Sequence, residues 1–231
     1  MHLFASSEPV PPVTAEQFAG RWFFSDDGWL GTLTLAADGE LALTGTFAAQ
    51  RFDADFEVTG EVTDPAAHAV HLVIHDYNWM PEQHYTGLLT RGRTMLAGHS
   101  EWQGTPFGFF ATRSTRQLLG TYRQGNVRGA DFAGSWNVHL DGEPATMVLR
   151  HDAADGLLHG TYTSRASGGE LRVTGRAGGA APHCVHLTLS TPGGGEVGEL
   201  SGNLMSRPKN AISGVASSAG TACGFVMIRY E

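Results

Sequence analysis

Residues 18–22 read Phe-Ala-Gly-Arg-Trp, and residues 132–136 read Phe-Ala-Gly-Ser-Trp. Working outward, Gly45-Thr46-Phe47 returns as Gly160-Thr161-Tyr162, Val58-Thr59-Gly60 as Val173-Thr174-Gly175, and Val70-His71-Leu72 as Val185-His186-Leu187. Gly104-Thr105, Gly108-Phe109 and Arg113 return as Gly220-Thr221, Gly224-Phe225 and Arg229. Whole elements therefore recur in order, so the chain is two copies of one fold. Positions kept in both copies build that fold, and positions that differ show where one copy does something extra. The division is an N-terminal arm 1–17, a first domain 18–113, a connection 114–131 and a second domain 132–231.

Helical periodicity is almost absent. Short runs of β-branched and aromatic residues alternate with Gly, Asp and Pro. The first copy predicts strands near 20–26, 29–37, 41–49, 52–63, 69–77, 83–90, 94–102 and 105–113. The second predicts 134–140, 143–152, 156–165, 170–177, 184–191, 197–206, 210–217 and 221–230. Asp38-Gly39, Arg91-Gly92 and Asp155-Gly156 mark tight turns. The expected fold is all-β: two tandem eight-stranded antiparallel up-and-down barrels, whose closure removes the exposed edges of an open sheet.

Gly-x-Trp opening the first strand (Gly20, Trp22), Leu-x-Gly-Thr-Phe/Tyr on the third (Leu43 to Phe47; Leu158 to Tyr162) and Gly-x-Leu on the sixth (Gly87, Leu89) resemble the calycin superfamily. Within it the pattern is most similar to avidin-like barrels. That resemblance implies a closed end at Trp22 and Trp136 and an open, ligand-binding end opposite. Where avidin-like proteins carry an Asn, a Ser and a Tyr for biotin, this chain has Phe24, Gly28 and Phe47, then Val138, Gly142 and Tyr162. The resemblance therefore does not extend to biotin binding.

Period-2 alternation assigns faces. Strand direction then gathers Asp26, Trp29, Phe47, Phe52, Asp76, Tyr85 and Trp102 at the open end of the first barrel. Phe24 and Ser100 point inward on the same strands, and Trp79 lies in a connection poised over the mouth. The second copy has Leu140, Glu143, Tyr162, Ser190, Leu200 and Ser218 at the corresponding places, so the ligand site belongs to the first barrel. Strand 8 is apolar on both faces, which leaves its phase open.

Asp76, Asp26 and Tyr85 are the candidate catalytic residues. A carboxylate among aromatic rings loses water, its pKa rises, and it becomes an acid–base group near neutral pH. Tyr85 would stabilise charge developing on oxygen. Against this, Asp26 and Asp76 both lie at strand ends and also read as turn residues whose carboxylates face solvent, Asp26-Asp27-Gly28 most clearly. Phe24, Trp29, Phe47, Phe52, Trp79, Ser100 and Trp102 are the expected ligand contacts. The expected occupant is a hydrophobic or aromatic small molecule. It would undergo a cofactor-independent cyclisation, isomerisation or elimination; the alternative is a binding or carrier protein that leaves the molecule unchanged. A third possibility, a pure scaffold, predicts a mouth filled by its own side chains.

Other classes are set aside. The net charge of −8 offers no basic stripe for nucleic acid. His71, His75, His84 and His99 fall on the outer face, with Thr86 expected between His75 and His99, and no metal or cofactor motif is present. Cys184 and Cys223 are too few for a disulfide framework. No apolar run reaches membrane-spanning length, and the first 17 residues lack a signal-peptide pattern. A cytoplasmic protein is expected, with outer barrel faces available for self-association.

Overall fold

The computed structural model describes residues 11–52, 54–77, 81–114 and 126–229. A short helix, α1 (Ala15–Phe18), precedes eight strands: β1 Gly20–Asp26, β2 Trp29–Ala37, β3 Ala42–Ala49, β4 Asp55–Asp64, β5 Ala69–His75, β6 Glu82–Leu89, β7 Met95–Trp102 and β8 Thr105–Thr112. A 3-10 turn at Gly129–Phe132 precedes eight more: β9 Gly134–Leu140, β10 Glu143–His151, β11 Leu157–Ser164, β12 Glu170–Ala177, β13 Cys184–Ser190, β14 Glu196–Leu204, β15 Ala211–Ser218 and β16 Thr221–Ile228. Each strand pairs antiparallel with the next. β1 closes on β8 and β9 on β16, giving two complete barrels.

The tightest hairpins sit at matched places in the two copies. Asp27-Gly28 and Asp141-Gly142 have φ of 45° and 85°, then 52° and 86°, and Gln103-Gly104 and Ala219-Gly220 have the same signs. Two successive left-handed residues match the right-handed twist of the flanking strands, and the second is glycine in all four.

Both barrels are plugged at one end by the same device. Trp22 is fully buried, its Nε1 donates to Phe18 O at 2.8 Å, and the Arg113 guanidinium lies 3.9 Å from its ring centre. Arg113 Nη2 also donates to Gln17 O and Ala19 O, tying α1 across the barrel end. In the second copy Trp136 donates to Phe132 O at 3.0 Å, with Arg229 at 4.0 Å.

The lumen of the first barrel is full. Phe24 packs on Phe47, Tyr85 and Phe109 with ring centres 5.2–5.5 Å apart, and Phe47 meets Tyr77 at 5.2 Å. Phe24 and Phe47, expected as ligand contacts, are thus core residues. Phe52 precedes β4 instead of opening it, and its half-buried ring packs on Phe56 and Tyr77.

The barrels pack outer face to outer face through β6, β7 and β8 against β14, β15 and β16. Ala97 and Phe110 of the first barrel share an apolar cluster with Met205, Ala211, Val226 and Ile228 of the second. This explains strand 8: Phe109 faces its own lumen and Phe110 faces the sister barrel, so both faces are buried. The contact is reciprocal. Gly108 lies against Asn203 and Ser213, while its counterpart Gly224 lies against Leu88 and Ala97; a Cβ at Gly108 would come within 2.5 Å of Ser213 Oγ.

Candidate functional site

Asp26 is the last residue of β1, and its carboxylate turns into the barrel, where it is only 4% exposed. Ser100 Oγ donates to Oδ1 at 2.9 Å, and Tyr85 OH and Gln83 Nε2 each donate to Oδ2 at 3.0 Å. The register explains the convergence. Tyr85 and Ser100 are direct cross-strand partners on β6 and β7, and Gln83 is two residues before Tyr85 on the same face.

Burial dominates the electrostatics and pushes Asp26 up to about 7. The Ser100 hydrogen bond opposes that rise, neighbouring Asp27 adds to it, and the bonds from Tyr85 and Gln83 oppose it. Burial, and then the nearby Asp26 carboxyl, also drive Tyr85 well above its usual range, so it remains a proton-bearing donor. Gln83 Oε1 is buried with no hydrogen-bond partner among the described residues.

The second barrel does without the counterparts of Asp26, Tyr85 and Ser100. In the second barrel Leu140 ends the equivalent strand, and Leu200 pairs with Ala216 where Tyr85 pairs with Ser100. The same architecture is built there with an apolar interior.

Above Asp26 lies an open cavity of about 260 Å³. Its walls are Trp29, Trp102 and Phe107, its floor includes Asp26 and Gln83, and Asp27 and Arg207 complete it. Arg207 comes from the β14–β15 turn of the second barrel, so the cavity is shared between the two copies. Its guanidinium stacks 3.8 Å from the Trp29 ring centre, and that of Arg51 lies 4.3 Å from the same ring.

Of the expected catalytic residues, the structure brings Asp26 and Tyr85 together and leaves Asp76 outside. β5 ends at His75, and Asp76 takes a left-handed φ of 54° in a turn, exposed to solvent. That residue breaks the alternation, and Tyr77, 2% exposed, occupies the inward place instead. Trp29 and Trp102 line the cavity and Ser100 reaches it through Asp26. Trp79 lies outside the described residues. The histidines are on the outer face, but Thr86 falls between His71 and His99, because the β5–β6 pairing sets His75 opposite Glu82. His71 Nε2 and His84 Nδ1 are 3.1 Å apart, with exposed, stacked rings. Among the described residues no three His, Cys, Asp or Glu side chains converge as a metal site. No helix among them is long and apolar enough to cross a membrane.

Gln83, Phe107 and Arg207 were missed at the level of sequence. Gln83 was accessible, since it shares the inward phase of Tyr85. Arg207 was not, because its placement depends on how one barrel docks on the other.

Asp27 performs that docking. Its Oδ1 accepts the Ser206 backbone N–H, and its Oδ2 accepts the Ser206 hydroxyl at 2.5 Å. Burial raises Asp27 as well, against the pull of both Ser206 bonds. Asp141, the counterpart of Asp27, accepts the Arg91 backbone N–H at 3.0 Å and the Arg91 guanidinium at 2.6 Å. D27A is expected to cost about 1–3 kcal/mol by stranding the Ser206 donors. Guanidinium chloride denaturation measures the loss, and a midpoint equal to that of the unchanged protein would dissociate the clamp from stability.

Fold and site define a tandem double-barrel protein with a polar, aromatic-walled mouth on its first barrel. No protein-family model matches the chain, and no curated protein does. Among solved structures it is similar to a protein of unknown function from the DUF3598 family of Nostoc punctiforme PCC 73102. The two share 12% identity over 94% of this chain and 97% of that one, with a TM-score of 0.32.

Proposed function

We propose that the mouth of the first barrel binds a small, largely apolar or aromatic molecule and moves a proton on it through Asp26. The reaction class is a cofactor-independent isomerisation, cyclisation or elimination. The observation that carries this reading is a buried carboxylate held by three side-chain donors beneath an aromatic-walled cavity, at a position the sister barrel fills with Leu140. Burial pushes its pKa up to about 7. Of the four lone-pair sites on an ionised carboxylate, Ser100, Tyr85 and Gln83 occupy three. The fourth can take a proton, and Tyr85 keeps its own. The barrels are read as calycin-like in the avidin manner, and the protein as cytoplasmic.

The second reading, a binding or carrier protein, draws on the same hydrogen bonds, since three donors also suit a carboxylate that merely orients a ligand. β-Tetralone separates the two readings. It is small and aromatic, and its acidic C–H protons exchange in deuterium oxide, as proton NMR follows. Protein-dependent exchange should rise with pH through about 7 as Asp26 ionises, and D26L should slow it by about 100-fold or more. Saturable binding with exchange no faster than in D26L would establish the carrier.

A further inference from the structure

The β14–β15 turn is built to deliver one side chain. It is closed by bonds from Met205 N to Ala211 O and from Lys209 N to Met205 O. The corresponding turn of the first barrel runs from Thr90 to Met95 and is one residue shorter. Arg207 lies between two anchored neighbours: Ser206 is held by Asp27, and Pro208 packs on Gly28. Gly28 has φ of 85°, and a Cβ there would stand 2.5 Å from Pro208 Cδ, so both backbone and space require glycine.

The guanidinium so placed has no carboxylate partner at ion-pair distance among the described residues. The two carboxylates of the cavity are engaged elsewhere, Asp26 by Ser100, Tyr85 and Gln83, and Asp27 by Ser206. A planar cation stacked on Trp29, whose charge is felt by Asp27 but which has no carboxylate at ion-pair distance among the described residues, is suited to a ligand oxygen carrying negative charge.

We propose that Arg207 of the second barrel is the oxyanion-holding residue of the first barrel's site, and that the molecule bound there is a carbonyl compound converted through its enolate. This rests on the proton-transfer reading above. The ionised Asp26 takes a proton from the carbon beside the carbonyl. The C–H electron pair becomes a C=C bond, and the C=O π pair moves onto oxygen, which faces Arg207. Asp26 is then neutral and the substrate carries the charge. Returning the proton to another carbon of the conjugated system yields the isomer and restores Asp26. One negative charge moves from Asp26 to the substrate oxygen, within the cavity that Asp26 and Arg207 both line.

The test uses the full chain and para-nitrophenol, an apolar ring whose absorbance reports its own ionisation. Bound to the protein, its ionisation constant should rise at least tenfold over that in solution. R207M should abolish the increase. R51M, which removes the other guanidinium on Trp29 but none from the cavity, should leave it intact. An equal ionisation constant in R207M and the unchanged protein, an equal loss in R51M, or no saturable binding overturns the proposal. If R207M has no effect while β-tetralone exchange still needs Asp26, the assignment of Arg207 alone falls. If exchange does not need Asp26, the reading beneath it falls too.

Discussion

The triple variant D26L/Y85L/S100A, which installs the residues of the second barrel, is expected to fold and to lose the pH dependence that Asp26 imposes on stability. The native carboxyl titrates at about 7, against an ordinary value of 3.8. Between those values the native state holds a proton that the unfolded chain has released, so stability falls as pH rises across the window and levels off above it. The shift corresponds to about 4 kcal/mol in full, of which about 2–3 kcal/mol falls between pH 5 and pH 8. Denaturant midpoints at the two pH values, compared between the triple variant and the unchanged protein, isolate this contribution. The substitution set is conservative for packing, because Leu140, Leu200 and Ala216 already sit together in the second barrel. A parallel loss of stability in both proteins would remove Asp26 as its origin.

W22A is expected to destabilise the protein by about 3–5 kcal/mol, as removal of a buried aromatic does where the site cannot collapse. Two effects add to the cavity. Phe18 O loses the indole donor, and Arg113 loses the ring it covers. W136A should match it, since Phe132 and Arg229 make the same arrangement. Thermal unfolding should show a drop of about 10 °C in each. A loss under about 1 kcal/mol in either would mean that the repeated Trp-Arg plug does not hold its barrel end closed.

The strands were legible because each signal is local. Alternation gives the face, and Gly steps mark where strands end. Asp38-Gly39, Arg91-Gly92 and Asp155-Gly156, expected as tight turns, instead lie in loops of four or five residues. The two-residue hairpins fall at Asp27-Gly28, Gln103-Gly104, Asp141-Gly142 and Ala219-Gly220. The inward placement of Tyr85 and Ser100 followed from the same count. Asp76 did not follow, because a single left-handed residue at the end of β5 resets the alternation, and nothing in His75-Asp76-Tyr77 announces it. Strand 8 stayed ambiguous for a different reason. Phe109 and Phe110 are each buried, one by its own barrel and one by the neighbour, so a two-sided pattern was correct but unreadable from one barrel. Arg207 lies furthest from the sequence, since its position is set by Asp27 and Gly28, which precede it by some 180 residues.

The reciprocal clamp, Asp27 on Ser206 and Asp141 on Arg91, has the form of a two-fold dimer interface, in which each half offers the other the same patch. In a dimer of identical single barrels every substitution would appear twice, and an arginine over one mouth would be an arginine over both. Joining the copies in one polypeptide lifts that constraint. One half is free to keep an apolar interior and extend a longer turn, while the other accepts a costly buried carboxylate. Covalent fusion thus allows a division of labour that exact symmetry forbids, with Leu140 and Asp26 as its two outcomes.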